Sequence, residues 1–167
     1  MLLTILLAAC SQTNEQSFQL PKLNYTFVQM DTSRFLQYEE VYVPVYSDIY
    51  NFDENTKYLL TVTLSLRNTS TSDSLYVDKV DYYDSKGDHL RSYLDNTIVL
   101  RPLESVDFVV ENHERQGGTG ANFLVDWGTT QQTTRPVIQA VMIGTTSQQG
   151  ISFVTEGVTI RRKPQTR

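Results

Sequence analysis

The richest run of reactive side chains extends over Glu111-Asn112-His113-Glu114-Arg115-Gln116-Gly117-Gly118-Thr119-Gly120-Ala121-Asn122-Phe123-Leu124-Val125-Asp126-Trp127. It holds His113, three carboxylates, Arg115 and the chain's single tryptophan. A phosphate loop needs its glycines directly before a helix, so that backbone N–H groups and the helix dipole meet the anion. Here the glycines lead into Phe123-Leu124-Val125, which reads as strand, and no Lys-Ser or Lys-Thr follows. Glu111, His113, Glu114 and Asp126 are the residue types of a metal site, but the regular Asp/Asn spacing of a calcium loop is missing. Glycosidase chemistry needs two carboxylates facing each other at about 5–10 Å. Nineteen acids supply many pairs and select none. No Gly-x-Ser-x-Gly elbow exists, and His89 and His113 are the only histidines available to a Ser-His-Asp site. The enzymatic alternative is therefore a small metal-dependent or ligand-modifying enzyme built on His113 and its neighbouring carboxylates. No catalytic residue is selected, and no metal ligand or cofactor is expected.

A different chemistry is written around the one cysteine. Cys10 closes Leu2-Leu3-Thr4-Ile5-Leu6-Leu7-Ala8-Ala9. Eight residues fall far short of the ~20 that span a bilayer, but match the apolar core of a signal peptide. Leu7-Ala8-Ala9-Cys10 looks like a bacterial lipobox, in which small residues admit a signal peptidase and the cysteine thiol carries lipid. No Lys or Arg precedes the apolar run, a departure that fits a translation start upstream of Met1. The acyl chains would supply the membrane affinity. The expected place is the bacterial cell envelope, facing the periplasm or the exterior.

A third kind of site is aromatic. Tyr42, Tyr46 and Tyr50 share one parity, and ten tyrosines are present. Exposed aromatics on a sheet offer large rigid area at low entropic cost; packing against a second sheet is the plainer use. Trp127 follows Ala121, Phe123 and Val125 in period two and belongs to the core.

The elements that must position these residues are strands. Val41, Val43, Val45 and Ile49 alternate with the tyrosines, and Pro44 inside the run excludes a helix. Because proline cannot donate to the ladder, the pattern predicts an edge or bulged strand there. Residues 58–67 alternate most cleanly, with Tyr58, Leu60, Val62, Leu64 and Leu66 on the inner face. Imperfect parity over 75–83 predicts a bulge. Asp84-Ser85-Lys86-Gly87-Asp88 is a turn into His89–Leu94. Short strands are expected near Ile98, at 106–110, 121–127, 137–143 and 151–160. The pattern predicts an all-β protein, an immunoglobulin-like or related Greek-key β-sandwich of about eight or nine strands.

The 167 residues carry 14 Lys+Arg against 19 Asp+Glu, a net charge of −5. That balance argues against nucleic acid as a partner. A single cysteine excludes an internal disulfide and a cysteine zinc site. The expected organisation is a signal segment over 1–9, a lipidated polar tether over 10–40, the sandwich over 41–160 and a basic tail over 161–167. The tail holds four positive residues and no acid, which leaves −9 for the rest of the chain once +4 is taken from −5.

Several blocks together are similar to an uncharacterised bacterial lipoprotein family, the domain-of-unknown-function family 3124. They are Val43-Pro44-Val45-Tyr46-Ser47-Asp48-Ile49-Tyr50, Thr63-Leu64-Ser65-Leu66-Arg67-Asn68-Thr69, Val80-Asp81-Tyr82-Tyr83-Asp84, the run 117–127, Ala140-Val141-Met142-Ile143-Gly144 and Gln149-Gly150-Ile151-Ser152-Phe153. Many members carry histidine where Asp48 stands, which weakens any site built on that histidine here. The resemblance implies domain limits and an envelope context but no mechanism. The expected function is a lipid-anchored, non-catalytic binding or interaction module. Its partners would be the membrane, through Cys10, and an envelope protein or small ligand at a surface formed by Tyr46, Asp48, Tyr50, His113, Asn122 and Asp126.

Overall fold

A computed structural model describes residues 25–146 and 149–162. Cys10 and the rest of 1–24, like 163–167, lie outside the described residues. After a single 3-10 turn at Thr32–Arg34, the chain forms β1 (Gln37–Pro44), β2 (Asp48–Asn51), β3 (Asp53–Leu59), β4 (Thr61–Arg67), β5 (Leu75–Tyr83) and β6 (His89–Ser92). There follow β7 (Ile98–Leu100), β8 (Ser105–Val110), β9 (Asn122–Thr129), β10 (Val137–Thr146), β11 (Gln149–Glu156) and β12 (Val158–Arg162). One sheet runs β12-β1-β9-β5-β6, with β7 also on β5; the second runs β11-β10-β4-β8. Strands β2 and β3 form a separate two-stranded hairpin. Every pairing is antiparallel. The all-β sandwich is as the pattern predicts.

The core between the sheets is made by inward parity. Val41, Val43, Val77, Val80, Phe123, Val125 and Trp127 on one sheet meet Val62, Leu64, Leu66, Val106, Phe108, Ala140 and Met142 on the other, all buried. Each such large side chain contributes roughly 1.5–3 kcal/mol of transfer free energy.

Twelve strands among the described residues replace the eight or nine expected, because three runs break where the chain changes partner. Residues 58–67 part at Leu60: β3 pairs with β2, whereas β4 pairs with β8 and β10. Leu60 is itself buried at the break, so the apolar alternation passes through it unmarked. The run 41–50 parts into β1 and β2. The run 151–160 parts at Gly157, where the chain crosses from one sheet to the other. A Cβ on Gly157 would stand 2.6 Å from Val41 Cγ1, so a larger residue there would have to displace the Val41 side chain.

Of the two readings of Pro44, an edge or a bulged strand, the edge fails and the bulge is present: pairing of β1 with β12 slips between Glu40 and Val41. β1 lies inside its sheet between β12 and β9. Pairing with β12 ends at Tyr42, so the missing N–H of Pro44 falls beyond the last ladder bond on that side. The bulge expected in β5 is present between Val77 and Lys79, with Asp78 as the extra residue. At the 84–88 turn, Gly87 adopts φ +87° and Asp84 Oδ1 accepts the N–H groups of Lys86 and Asp88.

The basic segment 161–167 is divided. Arg161 and Arg162 complete β12, in register with Glu40 and Glu39 of β1. Adjacent residues on a strand point to opposite faces, so this doublet places one ion pair on each face of the sheet.

Candidate functional site

The glycine loop and the link from β1 to β2 come together. Val45 N–H donates to Ala121 O at 2.9 Å, and Ser47 N–H donates to Gly118 O at 3.1 Å. Gly118 N–H in turn donates to Ser47 Oγ at 2.7 Å. From the opposite side, Ser85 Oγ donates to Gly117 O at 2.9 Å and accepts from Gly120 N–H at 2.8 Å. Two serines that sequence reasoning did not select therefore pin the loop. Gly118 adopts φ +83°, and a Cβ on Gly117 would overlap the Tyr82 hydroxyl. That hydroxyl is buried beside Ser47, and burial raises its pKa against the opposing pull of the serine.

From this junction the β2–β3 hairpin projects. At its root the buried Asp48 forms an ion pair with Lys57, Nζ to Oδ1 2.9 Å. Asp48 also holds the Lys57 ammonium above its ordinary range. The Lys57 Nζ lies 5.2 Å from the Tyr50 ring centroid, a cation–π contact. The register slips between Tyr50 and Asn51, so that Asn51 faces Asp53 and Phe52 alone makes the bend. Phe52 has φ +68° and is 98% exposed. A left-handed non-glycine residue costs roughly 1–2 kcal/mol, and here no burial offsets it. Asp53 Oδ1 accepts the N–H groups of Asn55 and Thr56, and these bonds lower its pKa. Tyr50, the other aromatic of the hairpin, is 57% exposed. Sequence reasoning found Tyr50 and Asp48 but missed Phe52 and Lys57. The available signal was Asn51 and Asp53, two turn-forming residues flanking an apolar one.

The remaining residues selected from sequence are held apart. Tyr46 leaves the hairpin and meets Phe153 of β11 edge-on, with ring centroids 5.6 Å apart. His113 is on an exposed turn, its Nδ1 3.2 Å from Glu111 Oε2. Asn122 opens β9 next to Ala121, opposite Pro44 and Tyr83, the last residues of β1 and β5, and so borders the junction without joining the hairpin. Asp126 is four residues further along β9, about 14 Å away at ~3.4 Å per residue. Among the described residues, no three His, Cys, Asp or Glu side chains are grouped to hold a metal.

Asp126 belongs to another constellation, on the outer face of the six-stranded sheet. Tyr38 donates to Asp126 Oδ2 at 3.0 Å, and Lys79 Nζ lies 3.3 Å from the same oxygen. Lys79 is 3.8 Å from Glu40 Oε2, which Arg161 approaches to 3.7 Å. Asp126 Oδ1 has no hydrogen-bond partner among the described residues. Burial drives the Asp126 carboxyl above the ordinary carboxylate range, against the opposing pull of Lys79 and Tyr38. Every group here is engaged across the sheet, which suits a structural brace.

Compared with known proteins, the chain matches a family model described as "Protein of unknown function (DUF3124)" over residues 38–160. No curated protein matches it. Among solved structures it is similar to "Crystal Structure of Thermotoga maritima 1070", with 10% identity and a TM-score of 0.40. That alignment covers 72% of this chain and 92% of the other.

Proposed function

The chain belongs to the DUF3124 family, and from that premise we propose that it is a lipid-anchored, non-catalytic interaction module of the bacterial cell envelope. One observation carries the interaction reading: the β2–β3 hairpin presents Phe52, fully exposed and in a strained backbone conformation, at its tip. Strain and exposed apolar surface are both unfavourable in the isolated protein. Their coincidence in one residue is the pattern of a contact completed by a partner. Tyr50 widens the apolar surface, and Asp53 and Glu54 beside it are exposed. The fitting partner is a protein with an apolar pocket and a basic rim. The anchor rests on Leu7-Ala8-Ala9-Cys10, where the attached acyl chains would supply membrane affinity. The polar segment that follows would act as a tether.

Two experiments test the two halves. Cys10→Ser should move the protein from the membrane fraction to the soluble envelope fraction; unchanged membrane association would sink the anchor. An envelope protein that co-purifies with the parent should be lost with Phe52→Ser while circular dichroism stays unchanged. Retention of that partner would remove the hairpin from the interface.

A further inference from the structure

Where the start of β1, the end of β12 and the loop joining β9 to β10 meet, the surface forms an open cavity of 240 Å³. Leu36, Gln37, Glu39, Gln132, Arg135 and Arg162 line it. Two guanidiniums from distant parts of the sequence converge there on one carboxylate. Arg135 Nη2 donates to Glu39 Oε1 at 2.9 Å, and Arg162 Nε lies 3.2 Å from the same oxygen. Glu39 Oε2 accepts from Thr159 Oγ1 at 2.9 Å. Glu39 is 3% exposed, whereas both arginine side chains are more than half exposed at the mouth. Two positive charges against one negative leave a local excess of positive charge in a chain whose net charge is −5.

The donor supply also exceeds what Glu39 takes up. Each guanidinium carries five N–H groups, and each contacts Glu39 through one nitrogen. On the acceptor side, Gln37 Oε1 is buried with no hydrogen-bond partner among the described residues. The wall thus combines forked cationic donors with an uncommitted amide acceptor. The volume lies below the roughly 300 Å³ at which pockets for whole drug-sized ligands begin. It suits the end of a longer molecule that leaves through the mouth past the exposed Leu36.

We infer that this cavity is a binding site for a terminal carboxylate next to an amide, the chemistry of a peptide C-terminus. Arg135 and Arg162 take the carboxylate, whose planar pair of oxygens matches their forked donors. A small rotation of the Gln37 carboxamide lets its oxygen accept the neighbouring amide N–H. The site is separate from the hairpin and stands without the interaction reading given above.

The test uses the full chain, with N-acetylalanine as probe in isothermal titration. N-acetylalanine should bind saturably, and its neutral amide should not. Arg135→Lys, which keeps the charge and loses the fork, should weaken binding about tenfold. Arg162→Ala should weaken it at least as much, and circular dichroism reports whether that variant folds; if it does not, Arg135→Lys decides. Phe52→Ser should leave the affinity unchanged, which separates this site from the hairpin. Absence of saturable binding overturns the assignment. So does equal affinity for the neutral amide or for inorganic phosphate, or an affinity indifferent to Arg135→Lys.

Discussion

The charged end of β1 and the tip of the β2–β3 hairpin invert the usual placement of side chains. At the first, Glu39 and Glu40 are buried, and cations from β12, β5 and the β9–β10 loop converge on them. At the second, Phe52 stands in solvent. A buried carboxylate costs several kcal/mol unless it is paired and hydrogen-bonded; Glu39, with two arginines and a threonine, meets that condition. An exposed aromatic on a strained backbone has no such compensation among the described residues. The charge of Glu39 is therefore balanced within the fold, with arginine donors to spare, whereas the exposure of Phe52 is not offset by any contact among the described residues.

This contrast can be broken most forcefully at Glu39. The double change Arg135→Ala with Arg162→Ala strands a buried charge and should cost about 3–5 kcal/mol in urea unfolding. Adding Glu39→Leu removes that charge and should restore much of the loss. If the triple variant is no more stable than the double, the charged end is not balanced in the way described. On the other face of the same strand pair, the test is pH-dependent. Because burial raises the Asp126 pKa, the folded protein holds that proton more tightly than the unfolded chain. The stability this gives is complete below the ordinary Asp value of about 3.9 and is lost as pH rises through the raised one. Asp126→Asn does not ionise, so its urea midpoint relative to the parent should rise between about pH 3.5 and pH 7. A relative midpoint that falls over this range contradicts the burial argument.

At the hairpin the expected sign is opposite. Phe52→Gly should stabilise the protein by about 1 kcal/mol, because glycine accepts a positive φ freely. Phe52→Ala keeps the strain and should leave stability nearly unchanged. Destabilisation by Phe52→Gly would mean that the phenyl ring is packed in solution. The smallest effect is expected of Lys57→Ala. Its ammonium is substantially exposed, and loss of the Asp48 pair should cost less than about 1 kcal/mol.

How far the sequence reveals these regions depends on what each residue responds to. Val62, Leu64 and Leu66 answer to burial alone, and period two places them correctly in the core. Trp127 does the same. The break at Leu60 is silent because a buried leucine suits a bend as well as a strand. Glu39 and Glu40 read as polar residues before the first strand, since nothing local shows that Arg161 and Arg162 arrive beside them from the far end of the chain. Phe52 escapes because an apolar residue occupies the positive-φ position itself, where glycine or asparagine is expected, and the turn residues Asn51 and Asp53 only flank it. The contact of Gly118 with Ser47 is not legible, because a serine in a strand link carries no sign of the backbone groups that reach it. The separation of Asp126 and His113 from that contact is not legible either, because proximity in sequence says little about proximity across a sheet.

The place of β1 between β12 and β9 also governs the order of assembly. A chain that emerges N-terminus first, from a ribosome or through a translocation channel, delivers β1 long before either neighbour exists. Its first lateral partner arrives only with Asn122–Thr129 and its second only with Val158–Arg162. Until then both flanks of β1, including the Glu39-Glu40 doublet, remain unpaired. Non-local pairing of this kind slows folding and leaves open strand edges during it. The nascent chain thus has a long interval in which a holding chaperone would matter, and β1 cannot gain its second neighbour until β12, the last strand in chain order among the described residues, is available.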